Sequence, residues 1–293
     1  MPPLIPPGAR ASFIDLDGGR VRLLSAEPAE ATGRSPLLLI HGGGSDNAAI
    51  SWFHMFENFG DGRRVVAMDL PGFGYTEGIE AAGDPRLTAD FVARVAAAVG
   101  FDRAVVIGVS MGGDIAMNLA LRFPLLVERL VLIGPGGLLP RMGSKTAQAL
   151  VWAATRLPDA VIFPMAAQAN KFVDQAVKSM VADVGTLPPE VREEFAKEAR
   201  RNAASEGYLR YNQATVGRRA MRNNLLPKLH ALSTPTLIFH GADDPIVNPR
   251  GSQIASRSLP DARLVLVPNC GHWAQLEAAD RFEAEVRGFL GDR

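Results

Sequence analysis

A serine between two glycines, directly after an apolar run, constrains this chain more than any other feature. The run Ala104–Val109 is short, continuous and rich in valine, which is typical of a strand buried on both faces of a sheet. It leads into the sequence GVSMG at 108–112, and apolar residues at helical spacing follow. This context places Ser110 on a sharp turn that exposes its hydroxyl, and the glycines let strand and helix approach closely. The segment therefore predicts a nucleophilic serine at the carboxyl end of a buried strand.

Similar apolar runs recur along the chain, separated by segments with helical character. This alternation predicts an α/β fold with a mostly parallel central sheet and flanking helices. Ahead of the runs, alternating segments at Ser12–Ile14 and Val21–Leu24 flank the sequence DGG at 17–19, which predicts an antiparallel hairpin. The amphipathic stretch Glu277–Leu290 predicts a closing helix. The runs are Leu37–Ile40, Val65–Leu70, Ala104–Val109, Leu130–Ile133, Pro235–His240 and Ala262–Val267.

Residues 136–232 interrupt this alternation. The segment is rich in alanine, methionine and charged residues at helical spacing, as in Lys145–Leu157 and Pro189–Asn202, and contains no convincing strand. We interpret it as a helical cap inserted into a single α/β core, whose two parts are residues 1–135 and 233–293.

The composition argues against several classes of function. Thirty-one basic residues balance 31 acidic ones, so no net charge attracts nucleic acid or a membrane, and we expect a small-molecule partner. The first seven residues lack the basic and apolar regions of a signal peptide, and no apolar run is long enough to span a bilayer, which predicts a cytoplasmic protein. A single cysteine, Cys270, excludes an internal disulfide. A homodimer is compatible with the sequence.

A serine hydroxyl is a poor nucleophile at neutral pH, so it needs a base, and the base needs a carboxylate to orient it. With a nucleophile of this kind, the acid and then the histidine follow the serine along the chain. The loops after the last two apolar runs supply this order, with Asp243 and Asp244 in the first and His272 in the second. Parallel strands end on the same side of a sheet, so these loops and Ser110 can converge. His240 also lies there, but a histidine at a strand end usually packs or anchors a loop, and His272 is the predicted base.

The negative charge that develops on the substrate oxygen needs hydrogen-bond donors already in place. One is predicted to be the backbone N–H of Met111, directly after the nucleophile. The other is predicted in the sequence HGGG at 41–44, which follows the run Leu37–Ile40. Gly43 is the first choice there and Gly44 the second. These glycines lack the Gly-Lys-Ser/Thr ending of a phosphate-binding loop.

The sequence predicts neither a metal nor a cofactor, because the histidines and carboxylates lack metal-ligand spacing and no dinucleotide fingerprint is present. Four side chains are candidates for contact with the substrate. Val109 and Trp273 are neighbours of the predicted nucleophile and base, and Phe163 and Phe195 belong to the predicted cap.

Taken together, these motifs resemble the α/β-hydrolase superfamily over essentially the whole chain. Within it, the sequence CGHWAQ at 270–275 with Glu277, the HGGG segment at 41–44, and the sequence GPGG at 134–137 are similar to the meta-cleavage-product hydrolases. Those enzymes hydrolyse a carbon–carbon bond in a vinylogous diketo acid from aromatic degradation. The resemblance therefore implies hydrolase chemistry.

The resemblance also implies a catalytic triad. Its nucleophile and base correspond to Ser110 and His272. The sequence GADDPIV at 241–247 matches the family pattern best with the acid at its fourth position, which favours Asp244 over Asp243.

Three features of the sequence depart from the narrower pattern. Those hydrolases usually have asparagine before the nucleophile, where this chain has Val109, and Pro-Gly after the glycine run, where it has Ser45-Asp46. A substrate-binding arginine is expected in the cap, and Phe195 occupies the closest position. Without residues to hold a dianionic substrate, we expect a carboxylesterase-like serine hydrolase for an ester or lactone bond of a small apolar molecule. The alternatives are carbon–carbon bond hydrolysis of a meta-cleavage product and a slow-turnover ligand-binding sensor.

Overall fold

One sheet forms the centre of the computed structural model, which describes residues 2–30, 32–169, 172–202 and 205–292. In chain order its strands are β1 (Arg10–Leu16), β2 (Gly19–Ala26), β3 (Leu37–Ile40), β4 (Val65–Met68), β5 (Ala104–Val109), β6 (Val127–Ile133), β7 (Thr236–Gly241) and β8 (Ala262–Val267). Across the sheet the order is β1-β2-β4-β3-β5-β6-β7-β8. β2 runs antiparallel to both of its neighbours, and every other pair is parallel. The predicted mostly parallel α/β sheet is therefore confirmed.

The predicted hairpin joins β1 to β2 through a two-residue turn. Leu16 pairs with Gly19, which leaves Asp17 and Gly18 as the turn. Both have positive φ, 53° and 82°, as the twist of a tight hairpin requires.

Helices cover both faces of the sheet. Side chains alternate along β5, so Val106 packs in the hydrophobic cluster on one face while Val105 and Ile107 pack in the cluster on the other. In chain order the helices are α1 (Ala48–Ser51), α2 (Met55–Gly60), α3 (Pro85–Ala98), α4 (Met111–Arg122), α5 (Lys145–Ala154), α6 (Asp159–Ala169), α7 (Val173–Met180), α8 (Pro189–Arg201), α9 (Glu206–Thr215), α10 (Arg250–Ser258), α11 (Ala274–Glu277) and α12 (Ala279–Leu290). α3, α4 and α10 contribute to the first cluster, and α1, α2 and α12 to the second.

Helices α5–α9 lie between β6 and β7 in the chain, within residues 136–232, which we call the cap. The cap meets the core in a third hydrophobic cluster, in which Val191 and Phe195 of α8 pack with Ile50 and Trp273. No helix in the described ranges is both long and apolar enough to cross a membrane.

Three helices are shorter than the sequence pattern predicts, and α8 differs least, since it ends one residue early at Arg201. The predicted Glu277–Leu290 helix begins at Ala279, because Ala278 has φ −128° and ψ 50°, outside the helical region. The predicted Lys145–Leu157 helix ends at Ala154, shortly before Pro158, which disfavours a helical conformation at the residue before it.

Candidate active site

Ser110 forms a sharp turn between β5 and α4. Its φ is +54°, a conformation that costs a residue other than glycine of order 1–3 kcal/mol. Backbone hydrogen bonds hold the turn: the Ser110 N–H donates to the carbonyl of Ile133 over 2.8 Å. The Ser110 carbonyl accepts from the N–H groups of Gly113 at 3.0 Å and Gly136 at 2.8 Å. The end of β6 and the loop after it therefore fix the serine, whose side chain is half-buried.

The glycines on either side of Ser110 are required by close contacts. A Cβ atom at Gly112 would lie 2.1 Å from the carbonyl oxygen of Ile40. A Cβ atom at Gly108 would lie 2.3 Å from the carbonyl oxygen of Gly112. A side chain at either position would therefore push α4 away from the sheet.

The loops after β7 and β8 bring an aspartate to a histidine. Asp244 Oδ2 lies 2.7 Å from His272 Nδ1, and both side chains are buried. The Asp244 Oδ1 atom accepts from the backbone N–H groups of Ile246 at 2.8 Å and Val247 at 2.9 Å. The carboxylate is thus fixed on both oxygens, and it can hold the imidazole with its proton on Nδ1.

Asp244 and Asp243 have different surroundings. Burial alone would raise the pKa of Asp244, but hydrogen bonds with His240 and His272 outweigh burial and hold that pKa well below its usual range. Asp243 is exposed, and its backbone N–H donates to the carbonyl of Cys270. Of the two candidates, the structure places Asp244 beside His272.

A second histidine contacts the same carboxylate. His240 Nε2 lies 3.1 Å from Asp244 Oδ2 and 2.9 Å from the carbonyl oxygen of Val247. Both partners are acceptors, so in the neutral ring Nε2 carries the proton, and the hydroxyl of Ser252 donates to Nδ1 over 2.7 Å. The sequence analysis predicted only a packing or anchoring role for His240. Its place four residues before Asp244, at the end of a strand, was the available signal for this contact.

Gly134, directly after β6, lies between the serine and the histidine loops. A Cβ atom there would lie 3.2 Å from Asp244 Oδ2 and 3.3 Å from His272 Nδ1. Among the residues that the structure describes, the Ser110 hydroxyl makes no hydrogen bond to His272. Such bonds are often loose without substrate and tighten when it binds.

The glycine loop after β3 lies beside the serine, because a Cβ atom at Gly42 would lie 3.5 Å from Ser110 Cβ. His41 Nε2 accepts from the N–H of Leu70 at 3.0 Å, so its Nδ1 carries the proton and donates to the Gly42 carbonyl at 2.7 Å. In a planar trans peptide the carbonyl and the next N–H point in opposite directions. Because the Gly42 carbonyl points toward the His41 ring, the N–H of Gly43 in the same peptide points away from that ring.

Asp46 fixes the same loop from the other side and was not singled out from the sequence as a functional residue. Its Oδ2 atom accepts from the N–H of Gly42 at 2.9 Å and from the hydroxyl of Ser51 at 2.6 Å. Burial raises the pKa of this carboxyl, which is almost fully enclosed. Ser45-Asp46, one of the departures from the meta-cleavage-product hydrolases that the sequence resembles, thus supplies a hydrogen-bonded brace for the glycine loop.

The two predicted donors to an oxyanion border the serine from different elements. Met111 is the first residue of α4, so its N–H has no acceptor within the helix. Gly43 lies under the cap, since a Cβ atom there would lie 2.3 Å from the Tyr208 ring. Gly44 has a φ of +78° and open space around its Cα.

The predicted substrate contacts have packing partners in the structure. Val109 is fully buried in the core, and Phe195 and Trp273 meet edge to face with ring centres 5.3 Å apart. Phe163 lies under the guanidinium of Arg210, 5.2 Å from ring centre to Cζ. Contact of these four side chains with a substrate stays a prediction.

A buried network, which no sequence motif indicated, joins the cap to the helix that carries the serine. Asp114, in the first turn of α4, accepts from the Tyr211 hydroxyl at 2.8 Å and from Asn223 Nδ2 at 2.6 Å. Burial raises the pKa of Asp114 to about 7. Tyr211 is 97 residues away along the chain, so no local pattern reveals the contact.

No cluster of three or more His, Cys, Asp or Glu side chains suited to a metal ion occurs within the described ranges. The chemistry available to the site is that of the serine hydroxyl, the imidazole, the carboxylate and the backbone N–H groups.

Comparison with known proteins finds relatives along nearly the whole chain. A 2-hydroxy-6-oxononadienedioate/2-hydroxy-6-oxononatrienedioate hydrolase of Pseudomonas sp. is 30% identical over 284 residues, which cover 96% of each chain. A 2-hydroxy-6-oxo-6-phenylhexa-2,4-dienoate hydrolase of Burkholderia cepacia is 28% identical and covers 94% of this chain and 93% of its own. Among solved structures, a membrane phospholipase A shares the fold, with a TM-score of 0.79, 24% identity, and coverage of 97% of this chain and 86% of its own.

The family model for the alpha/beta hydrolase fold matches residues 35–279, which include Ser110, Asp244 and His272. The sheet order, the strand–serine–helix turn and the buried Asp–His pair agree with that match. The chain therefore belongs to the α/β-hydrolase fold family and is a hydrolase.

Proposed function

We propose that this enzyme hydrolyses a carbon–carbon bond beside the ketone of a 2-hydroxy-6-oxo-dienoate, the class of substrate for which its relatives are named. The observation that carries the proposal is the 30% identity to such a hydrolase over 96% of both chains. This reverses the order of preference from the sequence, which favoured an ester or lactone. The serine, histidine and aspartate chemistry is the same for both.

In this proposal Ser110 Oγ attacks the ketone carbon while His272 takes its proton. Asp244 stays ionised and holds the imidazole in the tautomer that can accept at Nε2, since its own contact is with Nδ1. The N–H groups of Met111 and Gly43 stabilise the charge on the former ketone oxygen.

Breaking a carbon–carbon bond requires the departing carbon to hold an electron pair. In the keto form of such a substrate, that carbon is conjugated through a double bond with a second carbonyl group, which accepts the pair. The leaving group is then an enolate with its negative charge on the oxygen of that second carbonyl group. The His272 imidazolium gives its proton to the enolate, which becomes a 2-hydroxy diene, and the acyl group remains on Ser110 as an ester. Water, deprotonated by His272, releases the acyl group as a carboxylic acid.

A specific observation favours ester or lactone hydrolysis as the second candidate. Phe195 stands where a carboxylate-binding arginine is expected, and it is buried against Trp273, the residue after the proposed base. An apolar surface here suits a substrate without a carboxylate.

The two candidates are separated by kcat/KM for 2-hydroxy-6-oxo-6-phenylhexa-2,4-dienoate and for p-nitrophenyl butyrate, measured beside Ser110→Ala as background. We expect the dienoate to be preferred by at least about tenfold, a difference of ~1.4 kcal/mol in transition-state stabilisation. A preference of that size for the ester would replace the proposal with the second candidate. Tight binding of the dienoate with less than one turnover would instead indicate a sensor.

A further inference from the structure

Acidic and basic residues balance over the whole chain, but they are separated from each other within the cap. Two segments of the cap, residues 136–158 and 207–232, contain eight lysines and arginines and no aspartate or glutamate. A chain with 31 charges of each sign would normally intersperse them. The cations are Arg141, Lys145, Arg156, Arg210, Arg218, Arg219, Arg222 and Lys228.

The two segments pack against each other, which brings cations of both segments close together in the cap. Gln148 Nε2 donates to the carbonyl of Gly217 over 2.6 Å. The guanidinium of Arg218 lies over the Trp152 ring, 5.8 Å from its centre. Arg156 donates to the backbone carbonyl of Gln213 over 2.9 Å.

Most of these cations lack a carboxylate partner. Arg210 pairs with Asp159 at 2.7 Å, whereas the other seven form no salt bridge to any residue in the described ranges. Six of the seven are exposed, and the seventh, Arg141, has a buried Nε without a hydrogen-bond partner. Arg222 and Lys228 line a cleft that also contains Asp84. The exposed cations Lys145, Arg156, Arg218 and Arg219 are therefore the uncompensated positive charges of this part of the cap.

Apolar side chains also project into solvent on α5 and α6. Leu150 on α5 is 67% exposed, and Val161 and Met165 on α6 are 44% and 57% exposed. Val161 and Met165 are one helical turn apart and lie on one face. The one charged residue of α6 is Asp159, which is already paired with Arg210. A helix this apolar is normally buried, so α6 lacks a partner that covers it.

Unpaired cations and exposed apolar side chains together restrict which kind of partner can bind this part of the cap. A second copy of the chain, docked through the same face about a two-fold axis, would bring two sets of unpaired cations together. Nucleic acid would satisfy the cations but offers no apolar phase for Leu150 and Met165. A bilayer with anionic headgroups satisfies both, because cations bind the headgroups while apolar side chains enter the acyl boundary.

We propose that the cap face formed by α5, α6 and residues 216–222 docks on the surface of an anionic lipid bilayer. The expectation of no membrane contact rests on the total charge, which does not register this separation. The proposal concerns where the enzyme binds, and it holds whichever bond the enzyme cleaves.

Co-sedimentation with vesicles tests the proposal. Vesicles of phosphatidylcholine alone are compared with vesicles that contain roughly a quarter phosphatidylglycerol. We expect at least about tenfold tighter binding to the anionic vesicles at low salt, lost as NaCl rises from about 0.05 M to about 0.5 M. R218E/R219E and, separately, L150E/M165E should each weaken binding by at least about tenfold.

The matched control is R10E/R257E, which should leave binding unchanged. It reverses two exposed arginines of the core that form no salt bridge with any described residue. All variants should keep the parent rate on a soluble substrate, which shows that they fold. Three results would overturn the proposal. They are equal binding of the parent to both kinds of vesicle, a loss of binding in R10E/R257E as large as in the cap variants, and unchanged binding of L150E/M165E. A concentration-dependent dimer that L150E/M165E dissociates, without vesicle binding by the parent, would assign the face to a second copy instead.

Discussion

Ser110→Ala is expected to lose about five to six orders of magnitude in kcat on any substrate that the enzyme turns over, because the variant has no hydroxyl to form the acyl ester. The Ser110 side chain forms no hydrogen bond within the described ranges, and alanine meets the same positive φ as serine. We therefore expect the free energy of unfolding to change by no more than about 0.5 kcal/mol. Steady-state kinetics and thermal unfolding measure the two effects separately.

Cys270→Ala is the matched control for this variant. Cys270 is the one cysteine of the chain and lies two residues from His272. Burial, first of all, raises the pKa of its thiol to about 12, so the thiol stays protonated and unreactive near neutral pH. The control should keep most of its activity. A Ser110→Ala enzyme that retained a rate within tenfold of the parent would place the nucleophile elsewhere.

Asp244→Asn is expected to lower kcat by about 10⁴-fold. The amide would still fit, but its NH₂ group can donate to His272 Nδ1, which favours the tautomer with its proton on Nε2. That ring cannot accept the proton of Ser110. Asp243→Asn changes the neighbouring carboxylate, which is exposed, whereas His272 pairs with Asp244, and it should keep a rate within a few-fold of the parent. The comparison is read from kcat on one substrate and from circular dichroism of both variants.

If the two aspartate variants lost activity to the same degree, the loop after β7 would be acting as a structural unit. Asp244 would then have no separate role toward His272.

The parts of the structure that local patterns determine were predictable. Continuous apolar runs locate β3 and β5 with their observed bounds, because a strand buried on both faces has nowhere to place a polar side chain. The bounds of β8 were also predicted, although this edge strand contains the exposed Arg263. The DGG turn and the GVSMG turn were also readable, since each depends on positive φ or close approach at a few adjacent residues.

Contacts between distant segments were not predictable in the same way. Asp46 braces the Gly42 peptide, and Asp114 receives the Tyr211 hydroxyl, but neither carboxylate belongs to a sequence motif. Their roles depend on which buried polar groups need partners after packing. The same holds for the exposure of α6, since its apolar composition alone indicates a buried helix.

The spatial distribution of charge could not be predicted from the total charge of the chain either. Equal numbers of acidic and basic residues argue against a charged partner only when the two signs are mixed in space. Here two segments remote in the chain pack together through Gln148 and Gly217 and bring cations of both segments close together in the cap.

Labelling with a fluorophosphonate tests most directly whether Ser110 is the activated nucleophile, because such reagents phosphonylate a serine only when a base and an oxyanion site assist it. Intact-mass analysis should show one adduct per chain, and peptide mapping should place it on Ser110. Ser110→Ala should stay unlabelled, and Asp244→Asn should react far more slowly than Asp243→Asn. An adduct on any other residue, or inhibition of turnover with no adduct on Ser110, would contradict the proposed triad.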